Sequence, residues 1–388
     1  MARRTKGRSN GEGSIYESPK DSGIWHAQVR VEGAPPKRKR AKSQREAREK
    51  LKQMLAELEQ GVDLAAQQPT VEQWCDTWLE TFAINLKPKI KEDYAAVVRR
   101  YIKGTKLGRR KLGQLTPADV QAWVNTLNTR IGAQTVRNAH ARLHKALAVA
   151  VRQRYIAKNP ADEIELPSVR TPPIQPLDFE QAQALLAVLK GHRWETLYWL
   201  AINLGMRQGE LLGLTWDALN LEVGTLRVFQ QLQRIKHPAG GKMFVLQTTK
   251  TKAGDRVLQL DVDLVALLRE HRRIQAEEAA LRGATWKNSF NLVFVTDTGA
   301  PIHFSDLVKQ FKGALKKAGL PNIRFHDLRH TAATLMLADG VPLVTVSKIL
   351  GHSSPAITAM IYAHALDDQK ADAIASLGRR LRRTKQDT

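Results

Sequence analysis

The chain has 388 residues, with 61 lysines and arginines against 38 acidic residues, a formal net charge of +23 and a pI near 10.2. That excess of cations favours a polyanionic partner, above all nucleic acid, and 43% hydrophobic residues are enough for ordinary cores in two or three domains. A single cysteine, Cys75, excludes a disulfide-stapled scaffold. No apolar run approaches the roughly 18 residues of a spanning helix, so a soluble, cytoplasmic protein with no membrane partner is expected.

The first dozen residues are basic and rich in Gly and Ser, a composition that takes no fixed structure before a partner binds. Residues 14–17 and 23–31 alternate apolar with polar side chains around a Ser18-Pro19-Lys20-Asp21-Ser22-Gly23 turn, the pattern of a hairpin. Lys37, Arg38, Lys39 and Arg40 continue as a basic third strand. From Ser43 onward, Ala47, Leu51, Met54, Leu55 and Leu58 recur at helical spacing until Gly61. Residues 1–66 therefore read as a small three-stranded β-sheet plus one helix. A β-ribbon can enter a DNA groove while its cations neutralise phosphates. Lys37, Arg38, Lys39 and Arg40 are thus the candidate DNA-binding residues. The same run also fits a localisation-type signal or an edge strand guarded by charge.

After a linker at Gln67-Gln68-Pro69, residues 69–167 carry four helical patterns and little strand propensity, an all-α bundle. Thr70 and Thr116 stand as N-caps, the latter with Pro117 in the first turn. Stripes such as Val71-Trp74-Cys75-Trp78-Leu79 and Val136-Ala139-Leu143-Ala146-Leu147-Ala150 face inward, and Asn159-Pro160 stops the last helix. Cys75 sits on such a stripe as a small buried hydrophobe. The tryptophans and tyrosines read as core, and the cations interleaved from Lys87 to Arg142 as a basic surface. Prolines between Pro167 and Pro176 make a stiff linker.

Residues 174–388 read as a mixed, mainly α domain with a small antiparallel sheet. The whole chain is thus multidomain α+β. A helix from Leu177-Asp178 to Leu189 and a strongly apolar one from Trp194 to Leu204 lead to Gly205. Arg207 then opens the next helix, where free amides favour a phosphate, and Glu210 lies one turn on. Residues 226–229, 243–246 and 256–260 alternate as strands, the last two predicting a hairpin that turns at Ala253-Gly254. His326 and Arg329 are three apart on one helix face. His326 and His330 also have the spacing of a zinc pair, but Asp327 stands where that motif has Glu, and Arg329 repels a cation. His330 is therefore read as a packing residue. A helix from Pro342 to Leu350 ends at Gly351 and leaves His352 on the connection, and Ser354-Pro355 starts another that carries Tyr362. Guanidinium and imidazole donors can grip the non-bridging oxygens of a phosphodiester, and a tyrosine hydroxyl can attack its phosphorus.

The G-x-R-x-x-E-L-x-x-L run at 205–214, H-x-x-R at 326–329, L-G-H at 350–352 and Tyr362, ten residues after His352, stand in one order. They resemble the catalytic boxes of the tyrosine recombinases, the phage-integrase family. The resemblance extends over essentially the whole chain, 69–167 being similar to a core-binding domain and 1–66 to an arm-type DNA-binding domain. It implies a site-specific integrase of a phage or integrative element. In such an enzyme Tyr362 attacks DNA to give a 3′-phosphotyrosyl link and a free 5′-hydroxyl. It implies Arg207 and Arg329 on the non-bridging oxygens, His326 as general base and His352 as a phosphate ligand, with Glu210 supporting Arg207. Lys252 is the implied general acid, with Lys250 competing for that role. No cofactor and no metal are expected. The implied partners are double-stranded DNA at core-type and arm-type attachment sites, a homotetramer on that DNA working through a Holliday junction, an accessory DNA-bending protein and an excision factor. The charged tail, with Leu366, Ile374, Leu377 and Leu381 near helical spacing, packs on its own domain or, as the family suggests, on a neighbouring protomer. Two other readings share these residues: a Xer- or topoisomerase-like strand transferase, and a non-catalytic DNA-binding regulator of the same fold.

Overall fold

Period-two alternation builds the first sheet. β1 (Ser14–Glu17), β2 (Trp25–Val29) and β3 (Lys37–Ala41) pair antiparallel in sequential order. Ala27 and Val29 pack on Met54 of α1 (Gln44–Glu59), with Ile15, Leu51, Leu55 and Leu58 around them. Successive side chains point to opposite faces, so the other face presents Tyr16, His26, Gln28, Arg38 and Arg40. There the Tyr16 and His26 rings stack at 5.4 Å, and Arg38 donates to Gln28 at 2.9 Å while lying over Tyr16. Lys37 and Lys39 take the inward phase, and Lys39 pairs with Glu57 of α1 at 3.5 Å.

The computed structural model describes residues 13–30, 35–59, 62, 68–169, 175–237, 239–248, 254–356, 358 and 359. It divides into two compact units, Met1–Thr171 and Pro172–Thr388. The first holds the sheet and a helical bundle, each around its own apolar cluster. The bundle consists of α2 (Val71–Thr77), α3 (Pro88–Val97), α4 (Pro117–Asn128) and α5 (Ala133–Arg152). α2 and α3 each run on into one π-helical turn, Trp78–Phe82 and Val98–Ile102. Thr70 and Thr116 cap α2 and α4 through reciprocal bonds with Gln73 and Asp119. Trp74, Trp78 and Trp123 belong to the core, as expected; Trp74 donates its N–H to the Ala146 carbonyl at 2.9 Å and Trp123 to that of Tyr101 at 2.7 Å. Cys75 is buried among them, and burial pushes its thiol up to about 12, far from a nucleophile's range.

In the second unit α6 (Phe179–Leu189), α9 (Val262–Arg282) and α11 (Asp327–Ala338) pack around α7 (Glu195–Leu204), whose Leu197, Tyr198, Leu200 and Ala201 are fully buried. The short α8 (Gln208–Leu212) follows α7, and α10 (Phe304–Lys317) and α12 (Leu343–Leu350) are further helices of this unit. β4 (Leu219–Asn220), β5 (Thr225–Val228) and β8 (Arg256–Gln259) make one antiparallel sheet, and β6 (Gln230–Lys236) and β7 (Lys242–Thr248) a separate hairpin. This corrects the hairpin expected between residues 243–246 and 256–260. β7 pairs with β6, Leu246 opposite Leu232, and β8 pairs with β5, Leu258 opposite Leu226. Lys250 and Lys252 lie on the connection between the two sheets, outside the described residues, as do Tyr362 and the tail. No helix among the described residues is long and apolar enough to cross a membrane.

Two glycines separate steric need from helix propensity. A Cβ on Gly213 would stand 2.4 Å from the Leu232 backbone nitrogen and 2.7 Å from the Gln231 carbonyl carbon, backbone that cannot swing aside. Gly313→Ala, in open space on α10, should instead stabilise by about 0.5–1 kcal/mol. Gly213→Ala should destabilise by about 1–3 kcal/mol. Urea unfolding of the two variants, read by circular dichroism, checks the opposite signs.

Candidate active site

An α-helix leaves its last carbonyls without intrahelical partners, and at the end of α12 every one of them is taken. Gly351, in the left-handed region at φ 70°, caps α12; its N–H points to the Lys348 carbonyl at 3.0 Å and the His352 N–H to that of Ser347 at 3.1 Å. The next three carbonyls are taken by arginines from three other places. Arg256 Nε donates to Ile349 O at 2.6 Å, Arg329 Nη2 to Leu350 O at 2.7 Å, and Arg207 Nη2 to Gly351 O at 3.3 Å. Arg329, 4% exposed, also donates from Nη1 to Gly205 O at 2.8 Å, joining α11 to the end of α7. Gly205 stands at φ 58°, and a Cβ there would lie 2.4 Å from Leu350 Cδ2, so glycine permits this close approach.

Glu210 is the anionic centre. Only 3% exposed, it accepts Arg207 Nη1 at 2.7 Å on Oε1, and on Oε2 both the Arg207 backbone N–H and Arg256 Nη2 at 3.0 Å. Burial alone would raise its pKa, but the cations of Arg256 and Arg207 outweigh it and hold the carboxyl below its ordinary value. Arg207 keeps 39% of its side chain exposed, so part of its fork stays open to a ligand.

The histidine pKa values are lowered too, which leaves these groups uncharged where Glu210 is charged. His326, just before α11, meets His330 edge-on at 5.6 Å. Burial first, then the cation of Arg329, holds His326 below its ordinary value, and burial with His326 does the same to His330. His352 Nδ1 and the hydroxyl of Thr358 share a 2.7 Å hydrogen bond. Burial, followed by Arg329 and Arg207, pushes His352 down to about 4. All three rings are neutral at pH 7. Asp327 accepts the Arg324 backbone N–H at 2.7 Å and its guanidinium at 2.9 Å, and so fixes the start of α11.

Arg207, Glu210, His326, Arg329 and His352, singled out in the sequence, therefore come together. Lys252 and Tyr362 fall outside the described residues, and Arg38 and Arg40 sit on the open face of the sheet in the other unit. Sequence reasoning passed over Arg256 and Thr358. Arg256 had a legible signal: alternation places it on the inward side of β8 with Leu258 and Leu260. Among the described residues no three His, Cys, Asp or Glu side chains are grouped to hold a metal ion.

Residues 175–369 match the model of the phage integrase family, and residues 70–128 that of the phage integrase N-terminal SAM-like domain. A XerC-like tyrosine recombinase of Caldanaerobacter subterraneus subsp. tengcongensis is 33% identical over 350 residues, 87% of this chain and 90% of its own. The chain belongs to the phage integrase family. As a phage integrase family member it is a tyrosine recombinase, a DNA strand transferase. The fold agrees. The integrase of transposon Tn1549, solved with a circular intermediate DNA, superposes with a TM-score of 0.67 at 22% identity over 80% of this chain and 99% of that one. Lambda integrase, solved as a tetramer bound to a Holliday junction, gives 0.54 at 16% over 92% and 96%. The multidomain α+β architecture expected from the sequence, with its small N-terminal sheet, helical bundle and mainly helical C-terminal part, is thus the integrase fold.

The depressed imidazoles give this integrase an acid limit. An unfolded histidine takes up a proton near its ordinary pKa of 6.5, whereas folded His352 does so only near 4. The unfolded chain therefore binds more protons in that window, and stability falls as pH drops from 6.5 toward 4. The thermal midpoint should decline over this range, and His352→Asn should make the decline shallower, as differential scanning calorimetry across the window would show.

Proposed function

We propose that this chain is the integrase of a mobile element, joining and releasing DNA at attachment sites without cofactor or metal. The observation that carries the reading is the gathering of Arg207 and Arg329 on the end of α12 beside two neutral imidazoles. Arg207 and Arg329 bind the non-bridging oxygens of the scissile phosphate and stabilise the charge that builds there. Tyr362 attacks the phosphorus, its oxygen forming the 3′-phosphotyrosyl bond as the bond to the 5′-oxygen breaks. His326, neutral at working pH, takes the tyrosine proton, and Lys252 returns one to the departing 5′-oxygen. With the Thr358 hydroxyl donating to Nδ1, the proton of neutral His352 lies on Nε2 and faces the phosphate. Glu210 aims Arg207. A 5′-hydroxyl of the partner duplex reverses the attack.

Three domains serve this chemistry: 1–66 for arm-type DNA, 69–167 for core-type DNA, and 174–388 for catalysis. The separate apolar clusters of the sheet and the bundle support the division of the first unit. On the sheet, Arg38 and Arg40 make the DNA contacts beside Tyr16, His26 and Gln28, while Lys37 and Lys39 add charge from the other side. Lambda integrase, crystallised as a tetramer bound to a Holliday junction, is the precedent for four protomers working together on DNA. The same reading puts the chain in the bacterial cytoplasm, with an accessory DNA-bending protein and an excision factor as further partners. The XerC-like relative favours a second reading, a Xer-like DNA strand transferase, against which the extra basic sheet stands.

The test begins with the DNA flanking the gene, from which a nicked attachment site is made. Wild type in EDTA should give a slow-migrating covalent adduct on a denaturing gel, and Tyr362→Phe none. Arg207→Ala and Arg329→Ala should each slow adduct formation by about 100-fold or more. Metal-dependent or absent cleavage would refute the mechanism. Lys252→Ala should slow cleavage of the ordinary ester and recover on a substrate with sulfur at the leaving position, which departs without a proton. Recovery of Lys250→Ala instead would move the acid to that residue.

A further inference from the structure

The connection between the two small sheets returns to the described chain at Gly254, and β8 starts two residues later at Arg256. That arginine occupies an inward position, in phase with Leu258 and Leu260, and its side chain is only 7% exposed. A buried cation needs full pairing, and Arg256 has it. Nε donates to Ile349 O at 2.6 Å, Nη2 to Glu210 Oε2 at 3.0 Å and Nη1 to Gly254 O at 3.4 Å. Its neighbour Asp255 faces outward and takes a two-point contact from Arg227 of β5, at 3.0 and 2.8 Å. The returning chain is thus pinned on both sides.

None of the three partners of Arg256 is an ordinary core group. Glu210 aims Arg207, Ile349 O stands beside the carbonyls that hold Arg329 and Arg207, and Gly254 ends the connection that carries Lys250 and Lys252. We propose that Arg256 is a positioning residue of strand transfer, locking the end of the lysine-bearing connection, the Glu210 carboxylate and the last turn of α12 into one arrangement. This rests on the active-site reading above. The planar fork suits the task, since Nε and Nη2 address two acceptors in fixed directions, which a lysine ammonium on a flexible stem does not. Without Arg256, the buried Glu210 carboxylate has Arg207 as its remaining cation, and losing one partner of a buried ion pair is strongly unfavourable. Glu210 then either draws Arg207 out of line or takes up a proton, and burial already favours the second course. Both misplace Arg207 at the phosphate. Ground-state DNA affinity, spread over many phosphates, is left nearly unchanged.

The experiment is single-turnover cleavage of nicked attachment-site DNA, with Kd measured in parallel, for wild type, Arg256→Lys, Arg256→Met, Glu210→Gln and the Arg256→Met/Glu210→Gln double variant. Arg256→Lys, which keeps the charge and so the fold, should cleave about 10- to 100-fold more slowly. Its Kd should stay within about threefold of wild type. Over about pH 6.5 to 8.5, where His326 is already neutral, Arg256→Met should show a rate that rises with pH as Glu210 ionises, a limb absent from wild type and from the double variant. Wild-type rates in both Arg256 variants would overturn the proposal. So would a rate loss matched by equal losses of Kd and melting temperature, or a pH limb that survives Glu210→Gln. A wild type that forms no adduct would instead overturn the active-site reading itself.

Discussion

Three backbone carbonyls at the end of α12 hold the site in place. Ile349, Leu350 and Gly351 offer their oxygens to Arg256, Arg329 and Arg207, which come from β8, α11 and the turn before α8. A helix carboxyl end carries partial negative charge, so cations are stabilised there. A guanidinium has five N–H donors; one or two on the carbonyls fix its plane, and Arg207, with 39% of its side chain exposed, keeps part of its fork open. The arginines are thus set before a phosphate arrives, and no binding energy goes into ordering them.

The same concentration of positive charge sets the protonation of everything near it. Burial first, and then the cations beside each ring, disfavour a charge on the imidazoles, so His326 and His352 stay neutral where a solvated histidine would be partly protonated. Glu210 responds in the opposite sense and stays ionised despite burial. Burial and one group of arginines together produce an imidazole able to accept a proton, an imidazole able to donate a hydrogen bond, and a carboxylate able to hold a guanidinium. Asp327, paired with Arg324, supplies the counter-charge that lets α11 begin beside them.

Much of this was legible in the sequence, and the exceptions have physical causes. Strict alternation announced β1 and β2, caps at Thr70 and Thr116 announced two helices, and the spacing of Arg207, Glu210, His326, Arg329 and His352 announced the site. Alternation identifies a strand but not its partner. Residues 243–246 and 256–260 flank a plausible turn, yet β6 intervenes, its pattern hidden because Gln230, Gln231 and Gln233 surround Leu232. α9 escaped notice for a related reason. Its inward stripe passes from Leu264 and Leu268 to half-buried His271 and buried Gln275, polar residues that each bond the Val293 carbonyl at 2.8 Å. The two π-helical turns in the bundle leave no trace in apolar periodicity.

The attachment of the arginines to main-chain oxygens governs which changes the family can accumulate here. A carbonyl is the same group whatever side chain it follows, so the outward residues of α12, such as Val344, can be exchanged without touching the phosphate grip. Length is different. An α-helix turns by about 100° per residue, so inserting or deleting a single residue within α12 would swing all three carbonyls away together. The segment is open to substitution and closed to insertion or deletion.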